Sequence, residues 1–249
     1  MRRSLALASA VLILASACNS SDHMTGTGSN SVAVSFITKT SHPMSASTPF
    51  VEIVGTDTLV ITRVQLVLAK IELARGGDAD CVDDENEGSD CDALHADPAL
   101  VELPVNGSLK RLFIAGVPPG TYDLLEAKVH FVSGGGDSRA AAFLGAHPDL
   151  AGVSVRVYGT FNSAPFTYTS GAEANVDADL TPPIVVGHKG LNLTVRVDIG
   201  SWFLDRSDIL IDPRTTLPGG ANDNLVDQNI HHSFQAFEDD DEDGLEDGH

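Results

Sequence analysis

The chain has 249 residues, with 35 acidic side chains against 15 basic ones and a formal net charge of −20. A field this negative excludes binding to nucleic acid or to anionic lipid heads by general electrostatics, and leaves divalent cations and basic partners as the natural counter-charges. The length suits one domain, or one large sandwich with attachments.

The first element is a leader. Arg2 and Arg3 precede an apolar run, and Ala15-Ser16-Ala17 stand directly before Cys18. This is the layout of a secretory signal peptide, with small residues at the cut site. A cysteine in that place resembles the lipobox of bacterial lipoproteins, with Ala15 where Leu is usual and Leu14 one residue further back. The resemblance implies a signal peptide over residues 1–17 and acylation of Cys18. Each buried methylene contributes about 0.8 kcal/mol, so several acyl chains on one cysteine make a lasting anchor. No later run approaches the roughly 20 apolar residues of a spanning helix, so the membrane is reached through the lipid alone. Asn19 replaces the Asp that would resemble an inner-membrane retention signal. That implies an exported outer-membrane lipoprotein facing the periplasm or the cell surface. Losing Arg2 and Arg3 takes the net charge from −20 to −22.

Residues 18–30 are Ser, Thr, Gly and Asn with little that is apolar, and read as a flexible tether. From 31 to 212 the chain reads as all-β. Val32, Val34 and Phe36 open the first strand. Over Thr58–Leu73 the apolar phase slips: Leu59 and Ile61 share one parity, Val64, Leu66 and Leu68 the other, and Ile71 and Leu73 return to the first. A flat strand cannot flip faces in this way, so bulges or a break are expected. Pro118-Pro119-Gly120 make a turn into a strand carrying Leu125, Ala127, Val129 and Phe131. Val153, Val155, Val157 and Phe161 repeat the alternation, and Gly134-Gly135-Gly136 read as a loop. The clearest strand is Leu191–Ile199, with one face expected on a core and the other in water. Strands with turn chemistry between them and no helix–strand alternation predict an antiparallel, immunoglobulin-like β-sandwich. Residues 213–249 break the pattern. Val226, Ile230, Phe234 and Phe237 fall at helical spacing, which predicts a short helix within Asn222–Phe237, followed by an acidic tail.

Two stretches carry a resemblance to a family. The strand Ile61-Thr62-Arg63-Val64-Gln65-Leu66 and the turn Pro118-Pro119-Gly120-Thr121-Tyr122-Asp123 are similar to those of uncharacterised bacterial lipoprotein domains with a transthyretin-like β-sandwich. The likeness spans residues 31–205. It implies fold and address, and brings neither catalytic residues nor an activity.

With Cys18 acylated, Cys81 and Cys91 remain as an even pair in an oxidising compartment, which predicts a disulfide closing the acidic loop 78–92. The alternative, a metal pair, lacks the further cysteines and the spacing of a zinc knuckle. That loop holds Asp78, Asp80, Asp83, Asp84, Glu85, Glu87, Asp90 and Asp92 in no recognisable ligand order.

The strongest chemical motif is Asp239 to Asp247. Asp239, Asp241 and Asp243 occupy positions one, three and five, Gly244 position six, Leu245 seven and Asp247 nine. Calcium takes six to eight oxygens, and alternate carboxylates on a tight loop can all point inward, with the Leu245 carbonyl at position seven. The spacing resembles the Asp-x-Asp-x-Asp-Gly-x-x-Asp loops of extracellular calcium-binding repeats, which implies calcium as cofactor at about 10⁻⁴–10⁻³ M. A solvated acidic tail is the competing reading.

The histidines do not converge. His231 and His232 are neighbours and project about 100° apart on a helix, and His130 has the polar parity of its strand. Trp202 reads as a core or sheet-end residue, and Tyr158 as the better surface aromatic. No nucleophile elbow, metalloprotease helix, P-loop or dinucleotide fingerprint is present. The expected function is therefore non-catalytic, a binding or structural role in the cell envelope with a protein or glycan ligand. Two alternatives stay open: an adhesion or assembly subunit offering a sheet edge, and a glycan-acting enzyme with a carboxylate pair.

Overall fold

The computed structural model describes residues 31–39, 49–74, 92–95, 98–134, 138–186, 191–216, 220 and 222–246. The strands begin with β1 (Ser31–Thr38), β2 (Phe50–Val54), β3 (Asp57–Ala74), β4 (Asp92–His95), β5 (Ala99–Leu103), β6 (Lys110–Gly116) and β7 (Gly120–Val129). Helix α1 (Ser138–Ala146) precedes β8 (Val155–Phe161), β9 (Ala164–Ser170), β10 (Ala174–Val186) and β11 (Leu191–Val197). Helix α2 (Asp223–His231) and β12 (Phe234–Glu238) complete the order. The fold is all-β with short helices, as the alternation predicts.

The strands form two sheets. One has four strands in the order β12-β11-β1-β6; the other has eight, β10-β7-β3-β8-β9 with β2, β4 and β5 also on β3. The long β3 carries β2, β5 and β4 in turn along one edge and β8 then β7 along the other. Val34, Phe36, Leu193 and Val195 of the small sheet share one core with Leu59, Ile61, Leu66, Leu125 and Val157 of the large one, each at most 1% exposed. Apolar burial on this scale is the main force holding the two layers together.

The phase slips in β3 fall where its pairing shifts. Its register against β8 jumps between Ile61 and Arg63, and against β7 between Leu68 and Lys70. Each bulge turns the next run of apolar residues back onto the core, so the strand continues without a break. At the turn into β7 the Tyr122 hydroxyl donates to the Pro118 carbonyl at 2.7 Å, and the ring is fully buried.

Four features differ from expectation. The pairing is antiparallel except between β1 and β11, which run parallel from Val32↔Leu191 to Thr38↔Val197. The polar face of β11 is not in water, since Asn192 is 8% and Thr194 1% exposed. The C-terminal helix stops at His231, and Phe234 and Phe237 lie on β12, paired with Val197 and Thr194 of β11. Val226 and Ile230 alone follow the helical spacing into the core. The free edge of β11 overrides that spacing once Ser233, which takes the indole N–H of Trp202 at 2.7 Å, has ended the helix. Helix α1 is the last difference. It packs Ala140 and Phe143 over Val67 and Leu150 in a small second core on the outer face of β3. No helix among the described residues is long and apolar enough to cross a membrane.

Candidate functional site

The acidic loop grows out of β12. Strand pairing continues one residue past it, where the Asp239 amide donates to the Asn192 carbonyl at 3.0 Å. The chain then reverses through Glu242 at φ 59° and Gly244 at φ 80°. This brings it back over the outer face of the four-stranded sheet. Gly244 holds a backbone that side chains rarely adopt, and a Cβ there would lie 2.5 Å from Ile37 Cδ1, so any other residue is strained and displaces that side chain. Arg196 of β11 donates to the Gly244 carbonyl at 2.8 Å, and Arg111 of β6 pairs with Glu242. The loop thus spans strands β6 to β12, which is why Asn192 and Thr194 are buried beneath it.

Asp239 is the hub of the loop and is fully buried. Its Oδ2 accepts from the Thr194 hydroxyl at 2.7 Å and the Gly244 amide at 3.1 Å, and its Oδ1 from the Asp243 amide at 3.0 Å. A carboxylate offers about four lone-pair sites, so three donors leave one acceptor position on Oδ1. Asp241 Oδ1 accepts from the Asp243 amide at 3.2 Å, and Asp243 Oδ1 from the Leu245 amide at 2.7 Å. These turns aim the three side chains at one place, with oxygens from Asp239, Asp241 and Asp243 all within 4.8 Å of one another. Asp241 and Asp243 are exposed, so the cluster is closed by the sheet on one side and open to solvent on the other. The two arginines that hold the loop serve elsewhere, Arg111 on Glu242 and Arg196 on the Gly244 carbonyl and over the Phe237 ring at 4.5 Å. Beside the loop, Asn192 Nδ2 donates to the Asp240 carbonyl at 3.3 Å, while its buried Oδ1 has no partner among the described residues. Hard oxygens grouped in this way suit a hard divalent cation.

Three of the five predicted ligands therefore converge. Leu245 lies on the same loop with its side chain 62% exposed, and Asp247 lies outside the described residues. Cys18, Cys81, Cys91 and the acidic loop from Asp78 to Asp90 also lie outside them, and Asp92 begins β4.

The other candidates separate. Trp202 is fully buried, a core residue. Tyr158 is half-buried with the Arg63 guanidinium 5.5 Å from its ring centre. Arg63 is itself held by Glu102, whose carboxyl it keeps below the usual carboxylate range. His130 Nε2 lies 2.5 Å from Glu173 Oε1, and His231 Nδ1 lies 3.2 Å from the Glu173 carbonyl. Sequence spacing does not foretell that meeting of two histidines at one glutamate. Tyr168 and Ser170 both donate to Asp227 Oδ1, at 3.0 and 2.7 Å, and fasten α2 to the sheet. Burial pushes the Tyr168 hydroxyl far above its ordinary pKa, as befits a structural donor. Comparison with protein-family models, with curated proteins and with solved structures gives no match to this chain.

Proposed function

We propose that the protein is a non-catalytic lipoprotein of the cell envelope, anchored at the outer membrane through acylated Cys18, whose β-sandwich has a binding or structural role and whose C-terminal loop takes up calcium. The leader and its cysteine support the address, and the resemblance to bacterial lipoprotein domains agrees with it. The observation that carries the cation is the convergence of Asp239, Asp241 and Asp243 at Asp-x-Asp-x-Asp-Gly spacing, with the first buried and the other two open to solvent. On this reading the Leu245 carbonyl, Asp247 and water complete the oxygen shell. Calcium relieves the mutual repulsion of the carboxylates and fastens the loop across the small sheet, in a chain whose acidity draws cations to it.

Thermal unfolding tests this. At calcium about ten times above its Kd, linkage gives roughly 1.4 kcal/mol and a Tm rise of about 3–5 °C for a chain of this size. Magnesium at equal concentration should do less, because it dehydrates reluctantly and demands a stricter geometry. An unchanged Tm with calcium on the order of 10 mM, well above the range expected of extracellular modules, would contradict the reading.

A further inference from the structure

Where β1 and β11 end side by side, the fold forms a cleft of about 200 Å³ between Lys39 after β1, Phe50 and Glu52 of β2, and Asp198 and Gly200 after β11. The cleft shares no residue with the aspartate loop and does not depend on calcium.

Strand β2 breaks the usual alternation at its centre. Phe50, 2% exposed, belongs to the common core and Val54 packs against it, so Glu52 between them faces inward as well, opposite the fully buried Leu59. Val51 and Ile53 face outward, at 39% and 65% exposure. Glu52 is half-buried at the cleft and among the described residues makes no ion pair or hydrogen bond, so its carboxylate is available to a ligand there. Positions that break the local pattern in this way mark sites of function or of edge protection.

Gly200 shows what the break makes room for. A Cβ there would lie 3.0 Å from Phe50 Cζ, 3.4 Å from Asp198 Oδ1 and 3.7 Å from Glu52 Oε2. Two carboxylates and an aromatic edge therefore address one point, and the missing Cβ keeps it open. Asp198 uses its other oxygen, Oδ2, to hold the Lys39 ammonium at 2.7 Å, so this carboxylate already accepts an alkylammonium. Glu52 and Asp198 against Lys39 leave one negative charge unmatched. Phe50, though 2% exposed, turns the edge of its ring to this point and so supplies apolar contact for a stem. A water takes about 30 Å³ and pockets for drug-sized ligands run to about 300–1,000 Å³, so the cleft suits the end of one side chain or a small molecule.

We propose that this cleft binds a primary ammonium group on a short aliphatic stem, gripped between Glu52 and Asp198 with the stem against Phe50. Such a group comes either from a lysine side chain of a basic partner or from a free diamine. Ligand-observed saturation-transfer NMR on the full chain in detergent micelles with chelator tests it. The probes are N-acetyl-lysine methylamide, 1,5-diaminopentane and, as a stem without charge, N-acetyl-norleucine methylamide. Saturable binding of either amine and none of the norleucine compound is the expected result. Preference for the lysine amide points to a protein partner, and preference for the diamine to a small metabolite. Glu52→Gln, which keeps shape and removes charge, should weaken binding about tenfold, as should Gly200→Ala by filling the space. Lys39→Ala should tighten it by releasing Asp198. Failure of both amines to bind, equal binding of the norleucine compound, or unchanged affinity in Glu52→Gln would overturn the proposal. In the last case Glu52 serves only to blunt the sheet edge.

Discussion

Asp239→Ala is expected to lower the unfolding free energy by about 3 kcal/mol, measured by urea denaturation in chelator. The alanine leaves the Thr194 hydroxyl and the Gly244 amide without their acceptor, and the Asp243 amide with Asp241 Oδ1 alone. Thr194 is 1% exposed and Gly244 is buried, so water does not readily replace the lost bonds. Relief from desolvating a charge opposes this loss. It is the smaller effect, because the carboxylate is already well hydrogen-bonded and hydrogen bonds to charged groups contribute about 1.5–3 kcal/mol each. Asp239→Asn keeps the shape but turns an amide donor toward other donors, and should fall between wild type and alanine. A loss below about 0.5 kcal/mol, the size of an ordinary surface substitution, would mean that the loop does not rest on this residue.

Gly159→Ala is expected to cost ~3 kcal/mol, toward the upper end of overpacking effects. Gly159 lies on β8 opposite Ile61, immediately before the jump in register that lets β3 change faces. A Cβ there would run into the Val60 carbonyl and come within 2.9 Å of the Phe166 ring. The carbonyl is backbone within the sheet and has no rotamer to escape into. Phe166 is wedged edge-on against Phe203, with ring centres 5.9 Å apart. Relief therefore needs β8 to shift against β3. Thermal or urea unfolding of the variant measures the cost, and wild-type stability would show that the strands are not held in this register.

The parts of the fold that were legible in the sequence are those fixed by local pattern. Alternation marks β1, β7, β8 and β11, and the phase slips at Ile61–Val64 and Leu68–Ile71 place the bulges of β3 within a residue or two. Local pattern fails where distant chain decides. Phe234 and Phe237 continue the helical spacing of Val226 and Ile230, and only the open edge of β11 makes them a strand. The same holds for the parallel pairing of β1 with β11, whose register joins residues 32 and 191. Helix α1 left a fainter local signal, Ala140, Phe143 and Leu144 at helical spacing in an alanine-rich stretch.

The candidate sites divide in the same way. The aspartate spacing is local and could be read directly, but the burial of Asp239 depends on Thr194 and could not. The ammonium cleft was invisible, because Glu52 and Gly200 come together only when β2 closes over the end of β11.

The most direct test of calcium binding by the aspartate loop is isothermal titration of calcium into the full chain and into the double variant Asp241→Asn/Asp243→Asn. These two residues are exposed and the asparagines keep the acceptor oxygens of the turns, so the variant should unfold at the wild-type temperature in chelator. The expected result is one saturable site of about 10⁻⁴–10⁻³ M in the wild type, lost in the variant. Equal heats in both chains, or no heat in the wild type, would show that the converging aspartates hold no calcium.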